Sequence, residues 1–363
     1  MLNELEALLI LSLFPRFGSV RIQALIRRFG SVQAILDAPI SVLTTIPEFG
    51  EKLWEGWEKW KHSDVWKREL ECADRYGVSL IPYTHPLYPK TLLEIPDYPL
   101  ILYMQGEFSR SDVNSIAVIG TRQATVYGKE MAHLFAGELA QQGMTVVSGL
   151  ARGIDTEAHL GALQKGRTIA VIGSGLAHIY PQENRGLAKR IQERGVLISE
   201  FPMNTPPDRQ NFPQRNRIVS GMTSATFLVE APLKSGAMIT VEKALQYGRP
   251  VFALPGRVDM ESFQGNHLLI KRQKATLVEN PKEILECFTD IFAGCAVSFT
   301  RTRPLLSSGE AQFLALFPAH ELSFEEILQV SGLPASQINV LITSLLLKKT
   351  IKEFPGKLYR KIN

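Results

Sequence analysis

Between residues 114 and 290, short apolar runs rich in Val and Ile alternate with helical stretches, and this alternation restricts the fold more than any other feature of the chain. A run that is apolar throughout, rather than at every second residue, is typical of a strand covered on both faces. Strands and helices alternating at this spacing predict right-handed crossovers and an α/β fold, an extended Rossmann-like, doubly wound parallel sheet. The predicted strands span 115–120, 144–149, 168–175, 196–201, 225–231 and 250–256.

Three of these strands end in small residues followed by an arginine or by the start of a helix, and a fourth such turn opens a further helix. Turns of this kind expose backbone N–H groups that favour anions, and a guanidinium can bind a phosphate through two parallel hydrogen bonds. Because the carboxyl ends of parallel strands share one edge, we expect the turns to form one phosphate-binding groove. The residues are Gly120, Thr121 and Arg122; Gly149, Arg152 and Gly153; Arg215 and Arg217; and Ser235 and Gly236.

The segment Phe212–Gly221 carries two arginines on one predicted helix. Arg215 and Arg217 are two residues apart, so they point to different sides of that helix. One of them can face the groove while the other pairs with a carboxylate such as Glu200 or Glu230; alternatively, both belong to structural ion pairs. The choice between a polar cap and a ligand contact stays open for Asn184 and Asn216.

The region before the sheet divides into a helical part and a connector. Residues 1–75 indicate short helices, and Pro15–Ser31 and Ile46–Trp57 each place a Gly-containing turn before an amphipathic helix. This pattern is similar to paired helix-hairpin-helix units in a sterile-alpha-motif-like (SAM-like) bundle, whose hairpins either bind a DNA phosphate or only pack the bundle. Residues 1–113 carry 12 Lys and Arg against 15 Asp and Glu, which favours packing. Residues 76–113 form a proline-rich connector with two short strands, one of which can join the sheet at its edge.

Two further segments follow the Rossmann-like domain, which we assign to residues 114–290. Residues 291–308 contain Gly, Ser, Thr and Pro and indicate a linker. Residues 309–363 predict three helices and a β-ribbon that turns at Pro355–Gly356. Three helices and a ribbon together make a winged-helix domain.

Several kinds of site find no support in the sequence. The three cysteines are odd in number and no C-x-x-C occurs, so we expect neither disulfides nor zinc, and we expect a cytoplasmic protein. The apolar segment Ala7–Phe14 is far shorter than the ~20 residues that cross a bilayer, so we expect no membrane partner. No histidine spacing predicts a metal site, no Walker motif is present, and Gly173-Ser174-Gly175 is a weak dinucleotide signal. We therefore expect no metal and no cofactor.

A catalytic set is also missing from the sequence. Asp155 and His159 lie four residues apart, with Ser148 and Ser174 at strand ends, but no G-x-S-x-G elbow occurs. The net charge is only +4, and residues 114–290 carry 20 Lys and Arg against 16 Asp and Glu. We therefore expect a protein that holds a polyanion by its backbone and has no catalytic residues.

Six motifs together resemble the DNA-processing protein A family, also called DprA or Smf. The central resemblance covers about residues 115–285, and the flanking parts match the family's other domains. In chain order the motifs read I-A-V-I-G-T-R, S-G-L-A-R-G-I-D, Y-P-Q-E-N, F-P-Q-R-N-R-I-V-S-G, S-G-A-M-I-T and A-L-Q-Y-G-R-P-V-F-A-L-P-G.

The resemblance implies a protein that binds single-stranded DNA without hydrolysing it. It implies that the protein protects incoming single strands and loads the RecA recombinase on them during natural transformation, and that it forms a homodimer. Carried over by position, the dimer helix corresponds to Gly265–Gln273, with His267 and Ile270 at the interface. The DNA-binding residues it implies are Gly120, Thr121, Arg122, Gly149, Arg152, Gly153, Gln182, Asn184, Arg215, Asn216, Arg217, Ser235 and Gly236.

The chain departs from the family pattern at several positions, and other functions stay open. Ala177 replaces the usual Asp, Gln182 is neutral where a basic residue would hold phosphate, and Arg272–Lys274 is longer and more basic than usual. The main alternative is a nucleotide-binding or nucleotide-processing enzyme on the same scaffold, using Glu200 or Glu230 near a ribose. A third possibility is a regulator that binds double-stranded DNA through the winged helix, whose recognition helix has few basic residues.

Overall fold

The computed structural model describes residues 2–47, 49–291, 307–317, 322–348, 350–354 and 358–361. The chain forms two compact units, residues 1–299 and residues 300–363, and each is described by itself. The predicted linker at 291–308 lies almost wholly outside the described residues, as does the predicted turn at Pro355–Gly356. Within the described ranges, no helix combines the length and the apolar character that crossing a membrane requires.

The first unit begins with a bundle of short helices closed by aromatic side chains. Phe14 and Phe17 meet Trp57 and Trp54 edge to face, with ring centroids 5.1 and 4.9 Å apart. These pairs give a small bundle a compact apolar core. The helices are α1 (Glu4–Ser12), α2 (Ser19–Phe29), α3 (Val32–Asp37), α4 (Ile40–Leu43), α5 (Trp57–Lys61) and α6 (Val65–Arg75).

A nine-stranded sheet forms the centre of the same unit, in the order β1-β2-β6-β5-β4-β3-β7-β8-β9. Strands β3 to β9 run parallel, whereas β1 and β2 add an antiparallel edge next to β6. The predicted α/β class with a mostly parallel sheet is confirmed, and the connector supplies the edge strand. The strands are β1 (Ser79–Pro82), β2 (Ile101–Gly106), β3 (Ser115–Ile119), β4 (Thr145–Ser148), β5 (Thr168–Val171), β6 (Val196–Ser199), β7 (Ala225–Leu228), β8 (Val251–Ala253) and β9 (Thr276–Leu277).

Helices cover both faces of this sheet. Residues of β3 alternate between two apolar clusters, because successive side chains of a strand point to opposite faces. Helices α7, α8 and α9 pack on one face and α10 and α11 on the other. The helices are α7 (Val126–Gln141), α8 (Ile154–Lys165), α9 (Arg185–Arg194), α10 (Asn211–Gly221), α11 (Gly236–Gln246), α12 (Gln264–Lys271) and α13 (Pro281–Ile291).

The strand order places a switch point between β3 and β7. The chain builds the sheet from β3 towards β6, and then returns to add β7, β8 and β9 on the other side of β3. At such a point the loops after the two neighbouring strands diverge and leave a crevice at the carboxyl edge. The turns after β3 and β7 therefore border the natural binding position of this sheet.

The second unit combines three helices with a three-stranded antiparallel sheet in the order β10-β12-β11. Its apolar core includes Phe313, Ile338 and Leu345. The elements are α14 (Ser308–Ala315), β10 (Leu322–Ser323), α15 (Phe324–Ser331), α16 (Ala335–Leu347), β11 (Ile351–Phe354) and β12 (Leu358–Lys361).

Candidate phosphate-binding groove

A cavity of about 630 Å³ opens at the carboxyl edge of the sheet, at the switch point between β3 and β7. Its walls come from four chain segments, residues 119–123, 149–155, 209–219 and 232–240, and we call it the groove. These segments contain the turns after β3, β4 and β7 and the amino-terminal half of α10. The structure thus brings the separate glycine-rich turns of the sequence to one place.

Positive charge dominates the groove. Arg122, Arg209 and Lys234 line it with exposed side chains, and none of the three has an ion-pair partner within the described part of the chain. Arg215 adds a fourth, buried cation, and Asp155 is the single carboxylate in the lining. A concave surface with several free cations and one carboxylate attracts anions.

Arg215 is buried beneath the floor of the groove and holds the backbone there, instead of presenting its charge at the surface. It is 4% exposed, and its Nη1 donates to the carbonyl of Gly149 at 2.5 Å and to that of Val171. Asp155 accepts hydrogen bonds from the backbone N–H groups of Gly149 and Ala151 at 3.1 and 3.3 Å. A Cβ at Gly149 would lie 2.6 Å from the Asp155 carboxylate, so a larger residue there would have to displace the side chains of Asp155 and Arg215.

Burial shifts the pKa values of both Asp155 and Arg215. It raises the pKa of Asp155, an effect that the guanidinium of Arg215 opposes. It also lowers the pKa of Arg215 to about 10, with Asp155 acting in the opposite direction. Arg215 is therefore still charged at neutral pH, and the pair holds the turn after β4 in place.

Aromatic rings and exposed arginine form the rim of the groove. The guanidinium carbon of Arg122 lies 4.8 Å from the centroid of the Phe212 ring, a cation–π distance. The ring of Tyr180, which is 39% exposed, lies 5.8 Å from that of Phe212. Together with Arg152 and Pro181 these residues surround a small depression of about 30 Å³ beside the groove. Rings in such positions can stack on flat ligand groups, and the cations beside them can bind charged ones.

Arg152 reaches this rim but is not free. Its Nε and Nη2 donate to the carboxylate of Glu183, the second contact at 3.1 Å. Both side chains are more than half exposed, and their contact raises the pKa of Arg152 and lowers that of Glu183. Gln182, next to Glu183, is exposed. A ligand that binds Arg152 therefore has to displace a carboxylate.

Asn184 has a structural position. It is buried, and its side-chain N–H groups donate to the carbonyl of Leu150 and to the hydroxyl of Thr156, each at 2.9 Å. These bonds tie the start of α9 to the turn after β4. These are polar contacts within the fold, one of the two roles left open by the sequence, and DNA binding by Asn184 stays a prediction.

The next residues of α10 face two different sides. Asn216 lines the groove, and its amide donates to the carbonyl of Gly236 at 3.2 Å. Arg217 is 8% exposed and lines a second cavity, where its Nη2 donates to both carboxylate oxygens of Glu200 at 2.5 and 2.6 Å. Its Nε lies 3.7 Å from the carboxylate of Asp97. The two arginines of α10 thus separate as their spacing requires, and Arg217 lies outside the groove.

The turn after β3 is held by close backbone contacts. The N–H of Thr121 donates to the carbonyl of Glu230 at 2.7 Å. A Cβ at Gly120 would lie 2.8 Å from the same carbonyl, and Gly153 has a φ of +75°, which L residues rarely adopt. Thr121 is itself buried. These residues place Arg122 at the mouth of the groove.

The amino end of α11 opens directly into the groove. Ser235 is its N-cap, and the hydroxyl accepts a hydrogen bond from the N–H of Ala237 at 3.2 Å. Gly236 follows, and a Cβ added there would meet no atom within 4 Å. The partial positive charge of this helix end therefore adds to the field of the arginines.

The carboxylates that an enzyme could use have other partners. Glu230 accepts hydrogen bonds from the N–H and the hydroxyl of Thr125 at the start of α7, at 3.0 and 2.8 Å. Glu200 is bound to Arg217, as described above. Neither lines the groove. No group of three or more His, Cys, Asp and Glu side chains that could hold a metal ion occurs in the described ranges.

Asp155 and His159 do not form a catalytic pair. His159 is fully buried; its Nε2 accepts from the N–H of Leu150 at 3.3 Å, and its Nδ1 lies 2.7 Å from the hydroxyl of Thr168. Burial lowers the pKa of His159 to about 3, so the ring is neutral. Asp155 binds the amides of the turn after β4 instead.

The residues expected at a dimer interface lie on α12. His267 is half-buried, stacks on Phe263 with ring centroids 6.5 Å apart, and contacts the carbonyl of Gly256 through its Nε2 at 3.0 Å. Ile270 is partly buried against the apolar cluster on the α10–α11 face of the sheet.

Sequence reasoning missed two cations of the groove, Arg209 and Lys234. Both lie directly before a helix start that lines the groove, Arg209 before α10 and Lys234 before Ser235. A basic residue just before a helix start at the carboxyl edge was the available signal.

Known proteins with similar sequences share the part of the chain that builds the groove. A family model described as DNA recombination-mediator protein A matches residues 79–289, more than half of the chain. Protein Smf of Escherichia coli is 47% identical over 209 residues, which is 57% of this chain and 56% of that protein. Protein Smf of Synechocystis is 33% identical over 300 residues, which is 81% of this chain and 72% of that protein.

Solved structures agree with these matches. DNA processing protein A from Streptococcus pneumoniae superimposes with a TM-score of 0.68 at 29% identity, covering 78% of this chain and 98% of that one. DNA processing protein A from Helicobacter pylori, whose single-stranded DNA binding mode has been studied by structure, gives a TM-score of 0.54 at 31% identity, covering 59% and 96%. The family model matches more than half of this chain, and the Synechocystis relative is matched over 72% of its length. This chain therefore belongs to the DNA recombination-mediator protein A family.

Proposed function

We propose that the chain binds single-stranded DNA in the groove by its phosphates and does not hydrolyse it. In this proposal it is a recombination mediator that protects incoming single strands and loads RecA recombinase on them during natural transformation. One observation carries the proposal: among the described residues, three exposed cations without ion-pair partners line a groove in which Asp155 is the single carboxylate. Phosphate is the ligand that such a groove suits best.

The rim supports a single strand over a duplex. Phe212 and Tyr180 lie side by side next to Arg122, and unpaired bases stack on exposed rings whatever their sequence. Binding through phosphates and stacking is independent of sequence. The Helicobacter pylori relative, for which a single-stranded DNA binding mode is described, supports the same ligand.

We also propose the domain arrangement and the assembly expected from the sequence. It comprises a SAM-like bundle over 1–75, the connector, the Rossmann-like domain, the linker at 291–308 and a winged-helix domain over 309–363. Three helices with a small antiparallel sheet in the second unit support the winged helix. We keep His267 and Ile270 on α12 as interface residues of a homodimer.

The alternative of a nucleotide-processing enzyme has less support. Such an enzyme needs a carboxylate near the bound ribose, and the two candidates, Glu200 and Glu230, hold other groups outside the groove. Asp155, the carboxylate of the lining, holds backbone amides. Incubating the protein with nucleotides and analysing the products tests this alternative directly.

Binding of a labelled oligo-dT, measured by anisotropy at several salt concentrations, tests the proposal. We expect the logarithm of the binding constant to fall linearly with the logarithm of the salt concentration. Arg122→Ala should weaken binding about tenfold for all sequences alike, since a charge-assisted contact is lost, and should reduce the salt slope by about 0.7.

Arg28→Ala is the matched control, because Arg28 is exposed on α2, outside the groove lining. It should leave affinity and slope unchanged. An Arg122→Ala protein with the affinity and slope of the parent, or hydrolysis of the oligonucleotide, would overturn the proposal. RecA filament formation on the same strand, with and without the protein, then tests the loading step.

A further inference from the structure

Helix α9 presents a face of free positive charge beside the groove. Its buried face consists of Leu187, Ala188 and Ile191. Its solvent face carries Arg185, Lys189 and Arg190, which are exposed. Over the part of the chain that the structure describes, none of these three has an ion-pair partner. We call them the α9 strip.

The strip begins where the rim of the groove ends. Arg185 directly follows Asn184, whose side chain is bonded to the turn after β4, and lies two residues beyond Glu183, the partner of Arg152. Helix α9 joins the end of β5 to the start of β6, so it runs away from the carboxyl edge of the sheet. A phosphate chain that leaves the groove at the rim therefore meets the strip next.

The spacing of the strip suits a polymer of phosphates. Lys189 lies four residues after Arg185, about 6 Å further along the helix axis and on the same side of the helix, whereas Arg190 follows it about 100° further round the exposed surface. Successive phosphates of an extended strand can therefore each meet a cation. Glu193, a carboxylate on the exposed side of α9, lies three and four residues after Arg190 and Lys189 and so neighbours both, but it forms no ion pair with either in the described part of the chain.

The composition of the surroundings favours a polyanion over a protein partner. From residue 181 to residue 232, a stretch that is described throughout, no large apolar side chain is exposed. Large apolar side chains are exposed just outside this stretch, at Tyr180 and Leu233. Protein interfaces are centred on apolar and aromatic residues, and the strip itself carries none. Unpaired cations without an apolar patch are typical of a surface that binds the phosphate backbone of nucleic acid.

We propose that the α9 strip is a second phosphate-binding surface, which holds the single strand after it leaves the groove past Tyr180. The inference rests on the proposed function and extends it, because it makes the binding site longer than the groove. Short oligonucleotides occupy the groove alone, whereas longer ones occupy the groove and the strip. Binding at the strip is independent of base sequence.

The test compares the Lys189→Ala/Arg190→Ala variant with the parent protein on a short and a long oligo-dT. The short one is the minimal length that the parent binds, and the long one is the length at which its affinity stops rising. We expect unchanged affinity for the short oligomer, about fivefold weaker binding of the long one, and a salt slope for the long one lower by about 1.4, two phosphates at 0.7 each.

Two controls keep the outcomes distinct. Arg27→Ala/Arg28→Ala removes the same charge from an exposed position on α2 and should change neither oligomer's binding. Lys189→Arg/Arg190→Lys keeps the charge and should bind both oligomers as the parent does. Equal losses of affinity for both oligomers, or no loss for the long one, would overturn the proposal for the α9 strip and leave the proposal for the groove intact. A parent protein that binds neither oligomer overturns the proposed function, and the strip with it.

Discussion

Two cavities flank helix α10, and they differ in whether carboxylates neutralise their arginines. The groove holds about 630 Å³, and the second cavity, between the helical bundle, the amino end of β2 and the carboxyl end of β6, holds about 470 Å³. In the second cavity Arg217 and Arg21 face two carboxylates, Asp97 and Glu200. In the groove four cations face Asp155 alone. The number of arginines in a cavity is therefore a poor guide to anion binding, and the balance with carboxylates is a better one.

The physical cost of releasing Arg217 explains the difference. Its Nη2 is bonded to both oxygens of Glu200, and burial raises the pKa of that carboxyl group, an effect that Arg217 opposes. A phosphate entering the second cavity would have to leave Glu200, a largely buried carboxylate, without its bidentate partner. Within the described ranges, the exposed side chain of Arg122 has no ion pair to lose when it binds an anion. This difference predicts that Arg217 contributes to stability and Arg122 to affinity.

The largest effect should follow the substitution Arg217→Met. It leaves the largely buried Glu200 without its partner, which should reduce the free energy of unfolding by about 3 kcal/mol, the low end for a buried pair, as measured by urea denaturation. The folded variant should bind oligo-dT as the parent does. Arg217→Met/Glu200→Gln should recover much of the stability. A stable Arg217→Met protein that binds DNA poorly would place Arg217 in the binding site and end the distinction between the cavities.

The sequence predicts the position of the groove because it depends on chain order alone. Apolar runs predict parallel strands, their carboxyl ends share an edge, and the turns with Arg122 and Gly236 must then meet. The spacing of Arg215 and Arg217 also predicts that they diverge. Which of the two faces the groove depends on the rotation of α10 over β5, and that is set by side-chain packing that a sequence does not display.

Contacts between residues far apart in the sequence could not be predicted either. Arg152 and Glu183 are 31 residues apart, and nothing local indicates that they meet. Asn184 is likewise bonded to Leu150, 34 residues away, so its structural position depends on how two turns pack. The cations Arg209 and Lys234 do have a local signal, because both precede helix starts.

An intermediate effect should follow the substitution Gly236→Ala. It tests whether Gly236 matters for ligand binding, in contrast to Gly149, which the packing of the groove requires. The added Cβ meets no protein atom within 4 Å, and alanine favours a helix over glycine by about 0.5–1 kcal/mol. Thermal melting should therefore show unchanged or higher stability. Oligo-dT binding should weaken several-fold, because a methyl group crowds the helix end where a phosphate approaches.

Gly149→Ala is the matched comparison for that prediction. Its Cβ would lie against Arg215 and 2.6 Å from the Asp155 carboxylate, so the variant should lose stability. A Gly236→Ala protein with full affinity would show that the phosphate does not approach α11. Lost stability in the same variant would contradict the open space at that position.

The smallest effect, and the only gain, should follow the substitution Glu183→Gln. Glu183 holds Arg152 at the rim, so the rim beside the groove carries a carboxylate that competes with phosphate, as Glu200 does in the second cavity. Here the pair is more than half exposed, so competition is weak, and removing it should strengthen oligo-dT binding about two- to threefold at low salt. Glu55→Gln, an exposed isosteric change in the helical bundle, should leave binding unchanged. Weaker binding by Glu183→Gln would mean that the carboxylate positions Arg152 for the phosphate instead of competing with it.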